Sequence, residues 1–174
     1  ACWSSSLPSG VLGVSGGGNW RANFSGAPKS NTWYQASLAN SFAGFDLDPD
    51  RADMYITYSS SFNWYYGTDG NTPAGFYDLV SVATHEIAHG LHFAGMMQYY
   101  SDGSAEFGYG GYPSIFDTFM ESVAGTKLTS YTTPSIALGS LVTSNNLYWD
   151  GTNANAANGG QRVNIYAQSS LSNV

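Results

Sequence analysis

Only 10% of the side chains in this sequence carry charge, and five Lys and Arg are set against twelve Asp and Glu. The resulting formal net charge of −7 repels a phosphate backbone, so no nucleic-acid partner is expected. Cysteine is scarcer still. Cys2 has no second cysteine to meet, so no disulfide closes inside the chain. No stretch of about 18 apolar residues is available to span a bilayer. The first residues also lack the charged and then apolar halves of a signal peptide. The expectation is a soluble, already processed chain with no membrane partner.

Against these absences stand 43% hydrophobic and 16% aromatic residues in a chain of 174. That is material for one real core, so residues 1–174 are expected to form a single domain and a monomer. With 21 Gly and 13 Tyr but few Lys and Glu, the composition is similar to that of mature extracellular bacterial enzymes, and a secreted location is expected.

Residues 1–30 place Gly10, Gly13, Gly16, Gly17, Gly18 and Gly26 around the short apolar pieces Val11-Leu12 and Val14. This reads as turns with one or two short strands and no evident chemistry. From Asn31, a potential cap, Trp33, Ala36, Leu38, Ala39 and Phe42 recur at helical spacing before Gly44, which predicts an amphipathic helix over 31–42. Asp46, Asp48, Asp50 and Asp53 surround Pro49 in a turn. Their spacing suggests Ca2+, but Arg51 and Thr57 stand where a calcium loop takes Gly and Glu, so a solvated acidic turn is the simpler reading. Met54 to Tyr58 reads as a strand, followed by a polar loop to Gly75.

The strongest periodicity runs from Phe76 to Ala94. Leu79, Val80, Ala83, Ile87, Leu91 and Ala94 form an apolar stripe, and Gly95 is placed to stop the helix. Farther on, Pro113 is expected to open a short helix burying Ile115, Phe116, Phe119, Met120 and Val123. A turn or helix fragment is expected at 135–141. Strands are expected at 147–149 and 163–166, joined by a linker over 151–160. The predicted class is α/β (α+β), with a small mixed twisted sheet packed on the 76–94 helix and on a second helix.

All three histidines fall between positions 85 and 92, in Thr84-His85-Glu86-Ile87-Ala88-His89-Gly90-Leu91-His92-Phe93. At about 3.6 residues per turn, His85 and His89 leave one helix face a turn apart and can bind a single Zn2+. Glu86 is rotated about 100° from His85, placed to reach a water at the metal without ligating the metal. Ile87 is about 200° from His85, which predicts that the Ile87 side is the buried back of the helix.

The stretch from Asn19 to Tyr166 resembles secreted bacterial zinc metallopeptidases of the zincin (HExxH, metzincin-like) superfamily. The resemblance rests on Ala27-Pro28, Asn31-Thr32-Trp33-Tyr34, the segment Trp64 to Gly70, His85 to Leu91, Phe116-Asp117-Thr118-Phe119 and Leu147-Tyr148. It implies a zincin-like catalytic domain acting as a zinc endopeptidase on protein or peptide substrates. His85 and His89 would be ligands, Glu86 would be the general base, and a cleft-edge strand, expected at 54–58, would run antiparallel to bound substrate.

The sequence departs from the extended metzincin motif HExxHxxGxxH: His92 stands at the glycine position and Gly95 at the third-histidine position. The third ligand therefore stays open. His92 reaches the same ion only if the helix unwinds at Gly90, and otherwise lies behind the ligands or faces solvent. Asp117 is an alternative, set against the reading that Asp117 and Glu121 form a solvated helix face; Asp102, Glu106 and Glu121 are others. Members of the superfamily carry a further segment with a histidine and a methionine-containing turn, so a truncated or processed chain with its third ligand elsewhere is also consistent. Two competing readings are a secreted binding module with a structural metal and an inactive fragment. Against the first stands Glu86, since a structural zinc site has no use for an acid beside its first histidine.

Overall fold

Secondary structure in this chain comes in short pieces, as its glycine content dictates. The structure, a computed structural model, describes residues 1–167. By their internal contacts these residues divide into two units, one of residues 1–28 and 34–94 and the other of residues 29–33 and 95 onward.

The first unit contains, in order, β1 (Cys2–Ser4), β2 (Gly13–Gly17), β3 (Trp20–Arg21), β4 (Tyr34–Gln35), α1 (Ala36–Ala43), β5 (Met54–Ser59), β6 (Trp64–Tyr65), β7 (Tyr77–Asp78) and α2 (Leu79–Gly90). Its three-stranded sheet has the order β1-β5-β2 and is mixed: β1 runs parallel to β5, and β2 antiparallel. The strand expected at 54–58 therefore exists, but it is central. The edges of the sheet are β1 and β2, from a segment whose sequence shows no chemistry of its own. Ile56, Tyr58 and Trp64 form the buried cluster, flanked by Leu12, Met54, Leu79, Val82 and Ala83.

Helix α1 starts five residues later than Asn31, because Asn31 adopts a left-handed φ of 51° and Tyr34-Gln35 is taken up by pairing with β3. Its expected end holds: Gly44, at φ 78°, returns its N–H to the Asn40 carbonyl. Helix α2 is also shorter than 76–94. Asp78 caps it through bonds from the Val80 and Ser81 amides, and it ends at Gly90 rather than at Gly95.

The buried side of α2 is rotated from the expected one: Leu79 and Ala83 of the apolar stripe do pack on the core, but the other half of the stripe does not. Glu86 and Gly90 are its buried residues, whereas Ile87 is 43% exposed and Val80 and Leu91 are exposed beside it. The cause lies in β2, where a Cβ added at Gly13 would meet the Glu86 side chain. With so little side chain on that face of the strand, Glu86 and Gly90 turn inward, and Val80, Ile87 and Leu91 of the apolar stripe are left exposed.

The second unit contains β8 (Gln98–Tyr99), β9 (Ala105–Glu106), β10 (Met120–Ser122), α3 (Ile136–Val142), β11 (Leu147–Trp149), α4 (Thr152–Ala157) and β12 (Val163–Ile165). Strands β10-β11-β12 form an antiparallel sheet, so the two strands expected near 147 and 163 do pair. The core is Ala105, Phe107, Phe116, Met120, Leu128, Leu138, Leu147 and Ala167. After Pro113 the chain makes only a 3-10 turn over Asp117–Phe119 and then enters β10, leaving Val123 exposed, so the helix expected there is absent. Part of the 151–160 linker is helical, as α4. The class is mixed α/β with small sheets.

Candidate metal and catalytic site

The capped start of α2 fixes the phase of everything that follows on it. One turn apart on its exposed side, the His85 and His89 Nε2 atoms stand 2.9 Å apart. Two ligands at about 2.0–2.1 Å from one tetrahedral ion would be separated by about 3.3 Å, so the pair is close to a bidentate arrangement. His89 Nδ1 lies 3.0 Å from the Phe93 carbonyl, which places the proton on Nδ1 and leaves the Nε2 lone pair for a metal. This orienting carbonyl is the kind of outer contact that zinc-binding histidines make. On these two observations the pair fits two of the three protein ligands that a catalytic zinc takes, and no third stands with them among the described residues.

Glu86 is 5% exposed and packs against the start of β2, where Gly13 leaves room for its carboxylate. Burial first, and the Glu86 charge second, push the Tyr58 phenol above its ordinary pKa. A cavity of about 470 Å3 opens beside His85, lined by Gly10 to Gly13, Ser81, Val82, His85 and Glu86. The 1–30 segment thus supplies a wall of the site, and only the clustering of its glycines hints at such a close approach.

His92 does not stand with the pair. It is 3% exposed, its Nδ1 accepts the Gln35 backbone N–H at 2.9 Å, and its ring meets Trp20 edge-on at 4.8 Å. Burial lowers its pKa to about 4, so it is neutral at ordinary pH, and its buried Nε2 has no partner among the described residues. An unpaired buried donor costs about 1–3 kcal/mol.

The remaining acidic candidates have other partners. Asp117, expected on a polar face, is buried; its Oδ2 accepts the Ser114 N–H at 2.8 Å and the Met96 N–H at 3.4 Å, and burial raises its pKa. Glu121 is ion-paired with Arg162 at 2.7 Å and with Lys127 at 3.3 Å. Asp102 accepts from Ser104, and Glu106 accepts from Tyr100. In the 46–53 turn, Asp48 accepts from Asn19 and pairs with Arg21, while Asn40 donates to Asp46 and Asp53. Among the described residues, no group of three or more His, Cys, Asp or Glu side chains stands together as a metal site. Exposed Cys2 lies 3.3 Å from the Thr57 hydroxyl.

The backbone of β2 completes the site. Leu12 accepts from the Ser59 N–H, and Gly18 donates to the Asp53 carbonyl. In this antiparallel register the residues at 12, 14, 16 and 18 therefore bond to β5, and Gly13, Ser15 and Gly17 turn their N–H and C=O groups to the outer edge. No described strand pairs with that edge. No described helix is long and apolar enough to cross a membrane. Comparison of the chain with protein-family models, with curated proteins and with solved structures finds no match in any of the three.

Proposed function

We propose that this chain is a zincin-like, secreted zinc metalloendopeptidase acting on protein or peptide substrates. One observation carries the reading: the His85 and His89 Nε2 atoms converge to 2.9 Å, and His85 lines one cavity together with the buried Glu86. A structural site has no role for that acid, whereas a hydrolytic one needs a base close to the ion.

His85 and His89 would hold the zinc, which would supply Lewis-acid polarisation of the scissile carbonyl and acidify water. Glu86 takes the proton from the attacking water and delivers it to the leaving amine nitrogen as the C–N bond breaks. An extended substrate aligns as an added strand on the outer edge of β2, using the N–H and C=O groups of Gly13, Ser15 and Gly17.

The test is elemental analysis of the full chain purified without added metal, joined to hydrolysis of an unfolded protein. About one zinc per chain is expected, and replacing His85 and His89 together by alanine is expected to remove both the zinc and the hydrolysis. Zinc unchanged in the double variant overturns the reading.

A further inference from the structure

His92 occupies a backbone conformation that ordinarily belongs to glycine. At the end of α2 the Phe93 N–H returns to the Ala88 carbonyl at 2.8 Å and the His92 N–H to the His89 carbonyl at 3.0 Å. These are the two bonds of a Schellman turn, with His92 at the left-handed position, φ 78°. Glycine would close this turn without strain, so the histidine needs a reason in its side chain.

That side chain ties two segments together. Its Nδ1 accepts the Gln35 backbone N–H from β4. From the same segment, the Gln35 amide, in the orientation that pairs donor with acceptor, donates to the His89 carbonyl at 2.8 Å and to the Gly90 carbonyl at 2.9 Å. The Ser37 hydroxyl donates to Gly90 at 2.6 Å. The next residue, Phe93, is the one whose carbonyl meets His89 Nδ1. One turn therefore binds β4 through the His92 ring and orients a metal-facing imidazole through the Phe93 carbonyl.

We propose that His92 is a positioning residue for His89. By clamping the left-handed turn to β4, it holds the Phe93 carbonyl against His89 Nδ1 and so fixes the tautomer and ring angle with which His89 Nε2 faces the metal position. The metal part of this inference rests on the proposed function; the tautomer part does not.

The experiment uses the metal-free full chain at one neutral pH. Long-range 15N–1H spectra of the histidine side chains are recorded for the unaltered protein, for His92→Gly and for His92→Asn, followed by titration with zinc alone. The unaltered protein should show His89 as the Nδ1–H tautomer. His92→Gly suits the backbone but removes the clamp; it should keep the fold by circular dichroism, mix the His89 tautomers and weaken zinc binding about 10- to 100-fold, the range for losing a ligand-orienting contact. Asparagine tolerates the left-handed conformation and offers an amide oxygen to the Gln35 N–H, so His92→Asn should recover part of both signals.

An unchanged His89 tautomer in folded His92→Gly overturns the proposal. Loss of the fold in both variants makes His92 a structural residue and overturns it as well. A tautomer shift in a chain that takes up no zinc upholds the positioning and instead sinks the metal reading.

Discussion

Replacing Gly13 by alanine sets one methyl carbon against the Glu86 side chain. Built on the strand backbone, that carbon lies 3.0 Å from Oε1, 3.1 Å from Cγ and 3.2 Å from Cδ. Comfortable carbon contacts begin near ~3.5 Å, so the carboxylate must retreat by roughly 0.3–0.5 Å. The backbone itself does not resist the change, because Gly13 is not among the residues with positive φ. In a strand, alanine is favoured over glycine by about 0.5–1 kcal/mol, while overpacking costs about 1–3 kcal/mol. The net loss of stability is on the order of 1 kcal/mol. Catalysis should suffer more. A misplacement of about 1 Å can cost about 10²-fold, so kcat is expected to fall roughly 5- to 10-fold. Zinc content should not change, since the three atoms nearest the new methyl all belong to Glu86. Initial rates on a quenched fluorescent peptide, with zinc analysis and a thermal melt in parallel, measure all three. A folded, zinc-replete Gly13→Ala with unchanged kcat would refute the reasoning that Gly13 makes room for the catalytic base.

Three further outcomes are expected. Ile87→Asp should cost less than about 1 kcal/mol in urea unfolding, because Ile87 is 43% exposed; a loss above about 3 kcal/mol would show that this helix face is covered. Gly90→Ala places a methyl carbon 2.8 Å from Met54 Sδ and should destabilise by about 1–3 kcal/mol, with Met54→Ala restoring part of the loss; an unchanged melt would contradict the close packing of α2 on β5. Asp117→Asn tests burial. The folded protein holds the Asp117 carboxyl above its ordinary value of 3.8 through desolvation, so the stability linked to its proton is present below that value and is lost as pH rises through the raised folded pKa. Asparagine has no such proton, and denaturation across pH should show its advantage growing from about pH 4 upward and then levelling; a pH-independent difference would rule out this role for burial.

The site was legible in the sequence through spacing. His85 and His89 converge because four residues make about one turn, whatever else the helix does. The Gly44 stop and the 54–58 strand were legible in the same way, from a single residue's φ and a β-branched run. What packs on what was not. Choosing the buried side of α2 from the apolar stripe holds for Leu79 and Ala83 but fails for Val80, Ile87 and Leu91, because β2 brings glycine against Glu86 and the partner's lack of volume cannot be read from the helix itself. The central place of β5 depends on pairing with β1 and β2, a three-residue piece and a glycine-rich one with no periodicity of their own. His92 reads from the sequence as a ligand only if the helix unwinds at Gly90, and otherwise as a residue behind the ligands or facing solvent. Its role depends on a left-handed φ and on a bond to Gln35, 57 positions away, and neither leaves a mark in local sequence.

The central claim is that Glu86 moves protons at a metal held by His85 and His89, and Glu86→Gln tests it most directly. The substitution keeps the shape and hydrogen-bonding reach of the side chain and removes its basicity. Measured on one preparation, zinc per chain should stay at the unaltered value while peptide hydrolysis falls by at least the ~10²–10⁴-fold typical of losing a general base. Loss of zinc would instead make Glu86 a ligand, and hydrolysis at the original rate would place the base elsewhere.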